Sequence, residues 1–300
     1  MRRFLLSIAA GLCAALTLCG FGTDRPAETK VVLLGTGTPR PLPERSGPAT
    51  AIVVGEQAYL VDFGPGVVRR AAAAAAKGIS ALEPTKLTVA FVTHLHSDHT
   101  AGYPDLIFTP WVMGRPELNI YGPEGIEEMT QHVMEAWHRD IEIRTTGLEQ
   151  RKPLAVHAHD VKPGVIFEDE KVKVTAFPVP HGQWPQAFGY RFDTPGRSIV
   201  ISGDTSPSEE LIAHCRPCDV LIHETYSRAT TTVPAMPDWP LYSSKYHTST
   251  AELADIANRA KPGLLILYHL SGRTPDEQLK AEVEKTYRGK FVIGHDLDIY

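Results

Sequence analysis

The chain has 300 residues, of which 43% are hydrophobic and 22% are charged. These proportions are typical of a globular protein with one sizeable core, and they exclude a largely disordered chain. A formal net charge of −5 provides no overall basic field for a nucleic acid, so any polyanion would have to be bound locally.

Residues 1–22 are predicted to be a signal peptide. Two arginines precede an apolar run over residues 4–18, which is too short to span a bilayer comfortably and has the length of a signal-peptide core. We therefore expect a periplasmic or secreted protein with a mature domain over residues 23–300 and no transmembrane segment in that domain. A lipoprotein anchored through Cys19 is an alternative, although Leu18 is a poor residue in front of a modified cysteine.

Beyond this leader, short apolar runs rich in β-branched residues alternate with turn signals and helical stretches. The runs predicted as strands are KVVLLG, TAIVVG, AYLVDFG, KLTVAFVTH, KVKVTAFPV, SIVISGD, DVLIHE and LLILYH. The stretches predicted as helices are PGVVRRAAAAAAKG, PEGIEEMTQHVMEAWHRD, SPSEELIAHC, STAELADIANRA and TPDEQLKAEVEKTY. Two β-rich halves with helices between and outside them predict an α/β protein built as a single αββα sandwich.

Histidines and aspartates follow four of the predicted strands. Side chains that leave a sheet at the ends of its strands are held by a rigid scaffold, which suits a metal site. The segment THLHSDHTAG after the fourth strand contains three histidines and an aspartate, and single residues follow three later strands. The seven candidate metal ligands are His94, His96, Asp98, His99, His181, Asp204 and His269.

Seven ligands are too many for one hydrolytic zinc ion, which typically takes three protein ligands and a water. They suit two ions, one bound by His94, His96 and His181 and the other by Asp98, His99 and His269, with Asp204 between them. Two ions about 3.5–4 Å apart can share a bridging hydroxide as nucleophile, which is hydrolytic chemistry. Imidazole and carboxylate suit zinc best, whereas manganese and iron are not excluded by ligand type.

The order H-x-H-x-D-H, followed by a separate His, Asp and His, resembles the metallo-β-lactamase superfamily over nearly the whole mature chain. Several residues of this chain differ from those typical of particular branches of the superfamily, and these differences narrow the choice of branch. The lactamases proper generally carry Cys or Ser where this chain has Asp204, and flavodiiron oxygen reductases carry Glu where it has His96. Thiolesterases of the glyoxalase type usually read D-H-x-G-G, whereas Ala101 stands at the first of these glycines.

Three further stretches, LLGTGTPRPLPERSGPAT, HETYS and HTSTAELADIA, resemble the branch of tRNase Z and the zinc-dependent arylsulfatases. The resemblance implies that Glu224 and His247 pair near the metals and protonate the leaving oxygen. An ester oxygen that leaves phosphorus or sulfur needs a proton or a metal, and a carboxylate-held histidine is a suitable acid. The expected catalytic residues are therefore Asp98, which orients the nucleophile or accepts its proton, and the pair Glu224 and His247.

The segment between His181 and Asp204 bears on the substrate. Bacterial tRNase Z carries a long Gly/Pro-rich basic arm at this place to grip tRNA, whereas residues 182–203 of this chain look like a simple hairpin. Together with the leader and the acidic balance, the missing arm predicts an exported binuclear hydrolase of small phosphodiesters or aryl sulfates. Its expected partner is a small-molecule substrate, nucleic acid is not expected, and a homodimer is left open.

Two other functions are kept as alternatives. The first is a tRNase Z-like endoribonuclease that processes the 3′ ends of tRNA, in which the apparent leader is a short N-terminal helix. The second is a periplasmic zinc-binding protein without turnover.

Two local features complete the sequence. The segment from Thr225 to Tyr246 is rich in proline and aromatic residues and is predicted to be a loop over the site, in which Trp239 or Tyr242 contacts an aryl or apolar part of the substrate. Cys215 and Cys218 in HCRPCD could form a local disulfide in an oxidising compartment or remain two thiols at the end of a helix.

Overall fold

The computed structural model describes residues 28–230, 232–233, 236 and 238–300. The predicted signal peptide and Cys19 lie outside these residues. In the described part of the chain the strands are β1 (Thr29–Gly35), β2 (Ala49–Val54), β3 (Gln57–Val61), β4 (Val89–Phe91), β5 (Leu118–Gly122), β6 (Val156–Asp160), β7 (Gly164–Glu168), β8 (Lys173–Pro178), β9 (Phe188–Asp193), β10 (Ser198–Ile201), β11 (Val220–Glu224), β12 (Leu264–Tyr268) and β13 (Phe291–Ile293). The α-helices are α1 (Val67–Ala76), α2 (Ser97–Thr100), α3 (Tyr103–Val112), α4 (Ile126–Ala136), α5 (His138–Thr146), α6 (Glu209–His214), α7 (Trp239–Tyr246), α8 (Thr250–Ala260) and α9 (Asp276–Val283).

The strands form two sheets, one of six strands and one of seven. The first sheet has the order β1 to β6, and the second has the order β13 to β7. Strands β3 to β6 are mutually parallel in the first sheet, and strands β10 to β13 are mutually parallel in the second. Because parallel strands end at the same edge, the residues that follow these strands are collected at one edge of each sheet.

Successive side chains of the strands belong to different apolar layers, of which there are three in the described part of the chain. In β1, Leu34 belongs to the layer that contains α1 and α3, whereas its neighbour Leu33 belongs to the layer between the sheets. In β12, Ile266 faces the layer between the sheets and Leu267 belongs to the layer under α6, α8 and α9. Side chains of a strand point to opposite faces in turn, so each sheet buries both faces. This layering confirms the predicted αββα sandwich.

The structure contains elements that the sequence did not predict. Helix α3 has Pro104 in its first turn and Pro110 in its interior, and an interior proline argues against a helix in a sequence. Strands β6 and β7 are half-exposed edge strands, so they lack the apolar runs that mark the other strands. The long helix predicted after Pro123 is instead two helices, α4 and α5, which meet at Trp137.

The segment between β1 and β2 is fixed to the C-terminal part of the chain. The carboxylate of Asp296 accepts hydrogen bonds from the backbone N–H of Thr36 at 2.9 Å and of Ser46 at 2.8 Å. Arg45 donates to the backbone oxygen of Gly294 at 2.8 Å. These bonds hold the segment that borders the cavity described below.

The structure contains the disulfide between Cys215 and Cys218, which is the first of the two alternatives considered for this pair. Both cysteines are buried at the end of α6.

Across the described residues, no helix combines the length and the apolar character needed to cross a membrane.

Candidate functional site

The predicted metal ligands meet at one end of the sandwich. Strand β4 leads into the H-x-H-x-D-H motif, and β8, β10 and β12 end shortly before the three later candidates. Potential ligand atoms lie within 4.8 Å of one another in two groups, which are His94, His96, His181 and Asp204, and Asp98, His99 and His269. The structure therefore brings all seven predicted residues together and draws them from both sheets.

The motif after β4 is folded into a tight turn. The backbone oxygen of His96 accepts hydrogen bonds from His99 N–H at 3.1 Å and from the Thr100 hydroxyl at 2.9 Å, which closes the short helix α2. The end of the motif passes close to the loop after β3, because a Cβ added at Gly102 would lie 2.3 Å from the backbone oxygen of Gly64. Only glycine permits such an approach of two backbones.

The first group is built around three imidazoles. Nε2 of His94 lies 3.0 Å from Nδ1 of His96, and Nε2 of His181 lies 3.2 Å from the same atom. Oδ2 of Asp204 lies 4.0 Å from Nε2 of His94. Three imidazole nitrogens and a carboxylate oxygen at these spacings could surround one ion with bonds of about 2 Å.

The second group is richer in carboxylate. Nε2 of His269 lies 3.2 Å from Oδ2 of Asp98 and 3.4 Å from Oδ2 of Asp204. Nε2 of His99 lies 3.6 Å from Oδ2 of Asp98 and 3.4 Å from Oδ1 of Asp204. Asp204 thus faces both groups of potential ligand atoms.

The outer ring nitrogens of three of these histidines are held by oxygen acceptors. Nδ1–H of His94 donates to the Thr93 hydroxyl at 3.0 Å, and Nδ1–H of His181 donates to the backbone oxygen of Tyr246 at 2.8 Å. His99 donates to a carboxylate in the same way, as described below. Each bond fixes the tautomer that leaves Nε2 with its lone pair toward the cluster.

His96 is the exception, because its outer nitrogen is held by a donor. The indole N–H of Trp184 donates to Nε2 of His96 at 2.6 Å, and the two rings are perpendicular with centroids 4.9 Å apart. Trp184 therefore belongs to the surroundings of the cluster and orients the ring of His96.

The residues present fit a metal centre on two observations. Asp62, Asp98 and Asp204 are buried, and their ion-pair partners within the described residues are all histidines. In addition, Nε2 of His99 and Oδ1 of Asp204 are buried without a hydrogen-bond partner in the described chain. Buried carboxylates and unpartnered ligand atoms are costly unless a cation satisfies them.

The electrostatics of the cluster leave lone pairs for such a cation. Burial lowers the pKa of His94, His96 and His181, and that of His181 falls to about 4. Neutral imidazole is the form that binds a metal ion. Burial would also lower the pKa of His99, but the carboxylates around it, with Asp62 the strongest, hold it well above its usual value. The carboxylates around His99 therefore favour a positive charge at this place.

Asp62 is a functional residue that sequence reasoning missed. It follows β3, is buried and has a positive φ of 63°. Its Oδ1 accepts from the backbone N–H of Thr93 at 2.8 Å, and its Oδ2 accepts from Nδ1–H of His99 at 2.9 Å. The carboxylate therefore ties the beginning of the motif to its end. The signal was present in AYLVDFG, where an aspartate follows an apolar strand as Asp204 does.

Replacement of Asp62 by asparagine is expected to weaken zinc binding by about 10- to 100-fold, the usual cost of losing an outer partner of a metal-bound histidine. Asparagine tolerates the positive φ, but its amide can no longer accept from both Thr93 and His99 as a carboxylate does. Competition with a chromogenic chelator measures the affinity. Asp105→Asn is the matched control, because the hydrogen bond that the described residues make to the side chain of Asp105 comes from Thr109 of the same helix. An Asp62→Asn affinity within twofold of this control would refute the assigned role.

The pair predicted from the resemblance lies beside the cluster. Glu224 ends β11 and is buried, and its Oε1 accepts from Nδ1–H of His247 at 3.1 Å and from the backbone N–H of Thr205 and Thr248. Burial would lower the pKa of His247, but Glu224, with help from Asp204, raises it to about 9. A protonated imidazole held by a carboxylate next to a metal centre can donate a proton to a leaving group.

One cavity of about 490 Å³ joins these features. Its lining includes Asp98, Asp204, Glu224, His247 and His269 on one side. Tyr226, Trp239 and Tyr242 form part of its wall. Both aromatic residues that the sequence analysis selected, Trp239 and Tyr242, therefore border the site. They lie on helix α7, whereas a loop was predicted for this segment. Arg40 and Arg273 line the same cavity, and neither forms an ion pair with a described residue.

Comparison with known proteins places these observations in a family. A family profile described as a beta-lactamase superfamily domain matches residues 57–270. The chain is 33% identical to "Ribonuclease Z" of Mycobacterium bovis (strain BCG / Pasteur 1173P2) over 277 residues, which cover 89% of this chain and 96% of that protein. Its fold is similar to that of the metallo-beta-lactamase fold protein YhfI from Bacillus subtilis, with a TM-score of 0.71, 20% identity and coverage of 91% and 99%. The short form of human tRNase Z is similar with a TM-score of 0.67, 23% identity and coverage of 90% and 98%.

The main functional prediction from the sequence, an exported hydrolase of small phosphodiesters or aryl sulfates, is wrong about the substrate. The relatives that match nearly end to end are named as ribonucleases. The missing arm does not distinguish this chain from these relatives. The alignment has 277 positions and includes 89% of the 300 residues of this chain, so the relative has only about ten residues that this chain lacks within the aligned region. The matched relative therefore has no long arm there either, and residues 182–203 of this chain form the predicted hairpin of β9 and β10.

The ribonuclease names of these relatives also count against the expectation that nucleic acid is not a partner, and that expectation rested on the net charge. Net charge is a sum over the whole surface, whereas the contacts that hold a phosphate are local. Arg40 and Arg273 supply positive charge at the cavity in a chain whose total is −5.

Proposed function

We propose, from the premise that this chain belongs to the β-lactamase superfamily and to its ribonuclease Z branch, that it is an endoribonuclease that processes the 3′ ends of tRNA. Membership makes the chain a metal-dependent hydrolase, and the RNA substrate is the proposed part. The observation that carries the proposal is that His247, held by the buried Glu224, lines the same cavity as the metal cluster. A ribose oxygen is a poor leaving group, so its departure needs such an acid.

The metal centre is proposed to hold two zinc ions, and the ligand types also accept manganese or iron. His94, His96 and His181 would hold one ion, and Asp98, His99 and His269 would hold the other, with Asp204 shared between them. When bound, ions of this kind supply a nucleophile at neutral pH and neutralise charge on the phosphoryl oxygens.

The chain's own residues supply the proton transfers. Asp98 borders the cavity and accepts the proton of the attacking water. His247 gives a proton to the ester oxygen as its bond to phosphorus breaks, while Glu224 keeps the ring in place through Nδ1–H. The water oxygen bonds to phosphorus as the bond from phosphorus to the ribose oxygen breaks. Asp98 takes one proton from the water and His247 gives one to the ribose oxygen, so atoms and charge balance.

Cleavage of a precursor tRNA with a 3′ extension tests the proposal. The zinc-loaded full-length chain is expected to release the extension in one cut near the end of the acceptor stem, and a chelator is expected to stop the reaction. The same tRNA without an extension is the matched control and should remain intact. Failure to cut the precursor by an enzyme that hydrolyses bis(p-nitrophenyl) phosphate would exclude this function.

Export through residues 1–22 remains a proposal that rests on the composition of those residues alone. Fractionation of expressing cells, with the mass of the recovered chain, decides it. A shortened chain in the periplasm or medium would establish export and would contradict a role in tRNA processing, whereas a full-length chain in the cytoplasm would show that these residues are an N-terminal extension of an internal nuclease. A homodimer likewise remains a prediction.

A further inference from the structure

The wall of the cavity beside His247 is aromatic, and it is not needed for the hydrolytic step. The centroids of Trp239 and Tyr242 lie 5.8 Å apart with their planes at 29°, and Tyr226 meets Trp239 edge-on at 6.0 Å. Tyr246 continues the stack, because its ring lies 4.3 Å from that of Tyr242 at 12°. These half-buried rings pack against one another, and Tyr226, Trp239 and Tyr242 line the cavity.

This aromatic wall, defined as Tyr226, Trp239 and Tyr242, stands next to the proposed acid. The ring of His247 lies 6.4 Å from that of Trp239, with the two planes tilted by 32°, and 5.8 Å from that of Tyr242. If His247 protonates the departing oxygen, the nucleoside that carries this oxygen must lie beside it. The aromatic wall is therefore on the side of the cleaved bond where the leaving nucleoside sits.

The size and polarity of the cavity suit one unpaired nucleotide. About 490 Å³ is within the range of pockets for single small ligands, and a paired stem has no place in it. Aromatic side chains bind unpaired bases by stacking on their faces. Arg40 and Arg273 on the same lining provide charge for the neighbouring phosphates.

We propose that the aromatic wall is a stacking site for the unpaired nucleobase on the leaving-group side of the cleaved bond. This inference rests on the proposed ribonuclease function and on the role of His247. It implies that the enzyme recognises a stem that is followed or preceded by one flexible nucleotide, because a base that stays paired cannot reach the wall. A free aryl group of a small ester would meet the same surface, and the experiment below separates the two.

The test uses the zinc-loaded full-length enzyme and two RNAs, a precursor tRNA with a 3′ extension and the same RNA with an abasic ribose on the leaving-group side of the mapped cut. Removing the base is expected to lower kcat/KM of the wild-type enzyme by about 10- to 100-fold, the range that one stacked base contributes. Trp239→Ala is expected to lower kcat/KM on the intact RNA by a similar factor. On the abasic RNA it should cause little further loss, because the interaction is already absent.

Trp239→Phe keeps a stacking ring and is expected to recover most of the rate on intact RNA. Trp137→Ala is the matched control, because Trp137 is 41% exposed and packs on Phe108 away from the cavity. Zinc content and thermal melting of each variant are measured alongside. The abasic comparison in the wild-type enzyme needs no variant, so a Trp239→Ala protein that fails to fold does not prevent a decision.

If Trp239→Ala lowers kcat/KM on the abasic RNA by the same factor as on the intact RNA, the stacking site is refuted. The proposed ribonuclease function is not affected by that result. An abasic RNA cut as fast as the intact one would likewise refute the stacking site alone. A Trp239→Ala enzyme impaired on nitrophenyl esters but normal on RNA would assign the wall to small aryl ligands instead. No cleavage of the precursor by the wild-type enzyme would overturn the proposed function and the stacking site together.

Discussion

An Asp204→Ala enzyme is expected to lose most of its metal and to cleave RNA at least about 10³-fold more slowly than the wild type. Asp204 is the carboxylate that faces both groups of ligands, with Oδ1 at 3.4 Å from His99 and Oδ2 at 3.4 Å from His269. Metal ions contribute several kcal/mol of charge stabilisation to hydrolysis, and each 1.36 kcal/mol is a tenfold change in rate. Loss of the shared ligand should therefore affect both ions and not one.

Metal content and rate are measured on the same preparation, by elemental analysis and by single-turnover cleavage of the precursor tRNA. The wild-type chain is expected to hold two zinc ions and the Asp204→Ala chain fewer than one. Asp255→Ala is the matched control, because Asp255 is an exposed residue of α8 that pairs with Arg259. Two ions retained in Asp204→Ala would contradict the shared position of this carboxylate.

His247→Ala is expected to lower kcat on RNA by about 10²- to 10⁴-fold, the usual contribution of a general acid. The loss should be much smaller on bis(p-nitrophenyl) phosphate, because a nitrophenolate leaves without a proton. Glu224→Gln should reduce the rate in the same direction, since it weakens the bond at 3.1 Å that holds Nδ1–H of His247. The double variant should be little worse than His247→Ala, because the two residues act as one unit.

Measurement of the zinc content distinguishes His247 as a general acid from His247 as a metal ligand, which the geometry also permits. His247, Asp204 and His269 also form a group whose potential ligand atoms lie within 4.8 Å. If His247 were a ligand, its removal would release zinc and reduce hydrolysis of both substrates equally. His132→Ala is the control, because the side chain of His132 is 65% exposed on α4. Equal losses on RNA and on the nitrophenyl ester would therefore rule out the acid.

Much of the fold and of the cluster could be predicted because both depend on patterns local in sequence. Apolar runs such as LLILYH mark strands buried on two faces, and the residue after each run falls at a sheet edge. His181, Asp204 and His269 were found in this way. Asp62 shows the same pattern, yet its role depends on the 2.9 Å contact with His99, which arises only when β3 and β4 pair.

Other features depend on packing that no local pattern carries. Helix α3 forms in spite of Pro110 because its apolar face, including Leu106 and Trp111, is buried against the first sheet and α1. The substrate was mispredicted from two global quantities, the net charge and a missing arm. The positive charge of Arg40 and Arg273 at the cavity is a local feature, and it becomes visible only when the fold brings residues 233 positions apart to one rim.

The metal cluster takes His94, His96, Asp98 and His99 from the first sheet and His181, Asp204 and His269 from the second. An ion held by ligands from both sheets is a cross-link between the two halves of the sandwich. Its binding free energy opposes their separation, and a ligand at a thousand times its dissociation constant adds about 4 kcal/mol to the stability of the folded state. We therefore expect the supply of metal ions to affect the lifetime of this protein as well as its activity, because a chain that loses its ions becomes easier to unfold and to degrade.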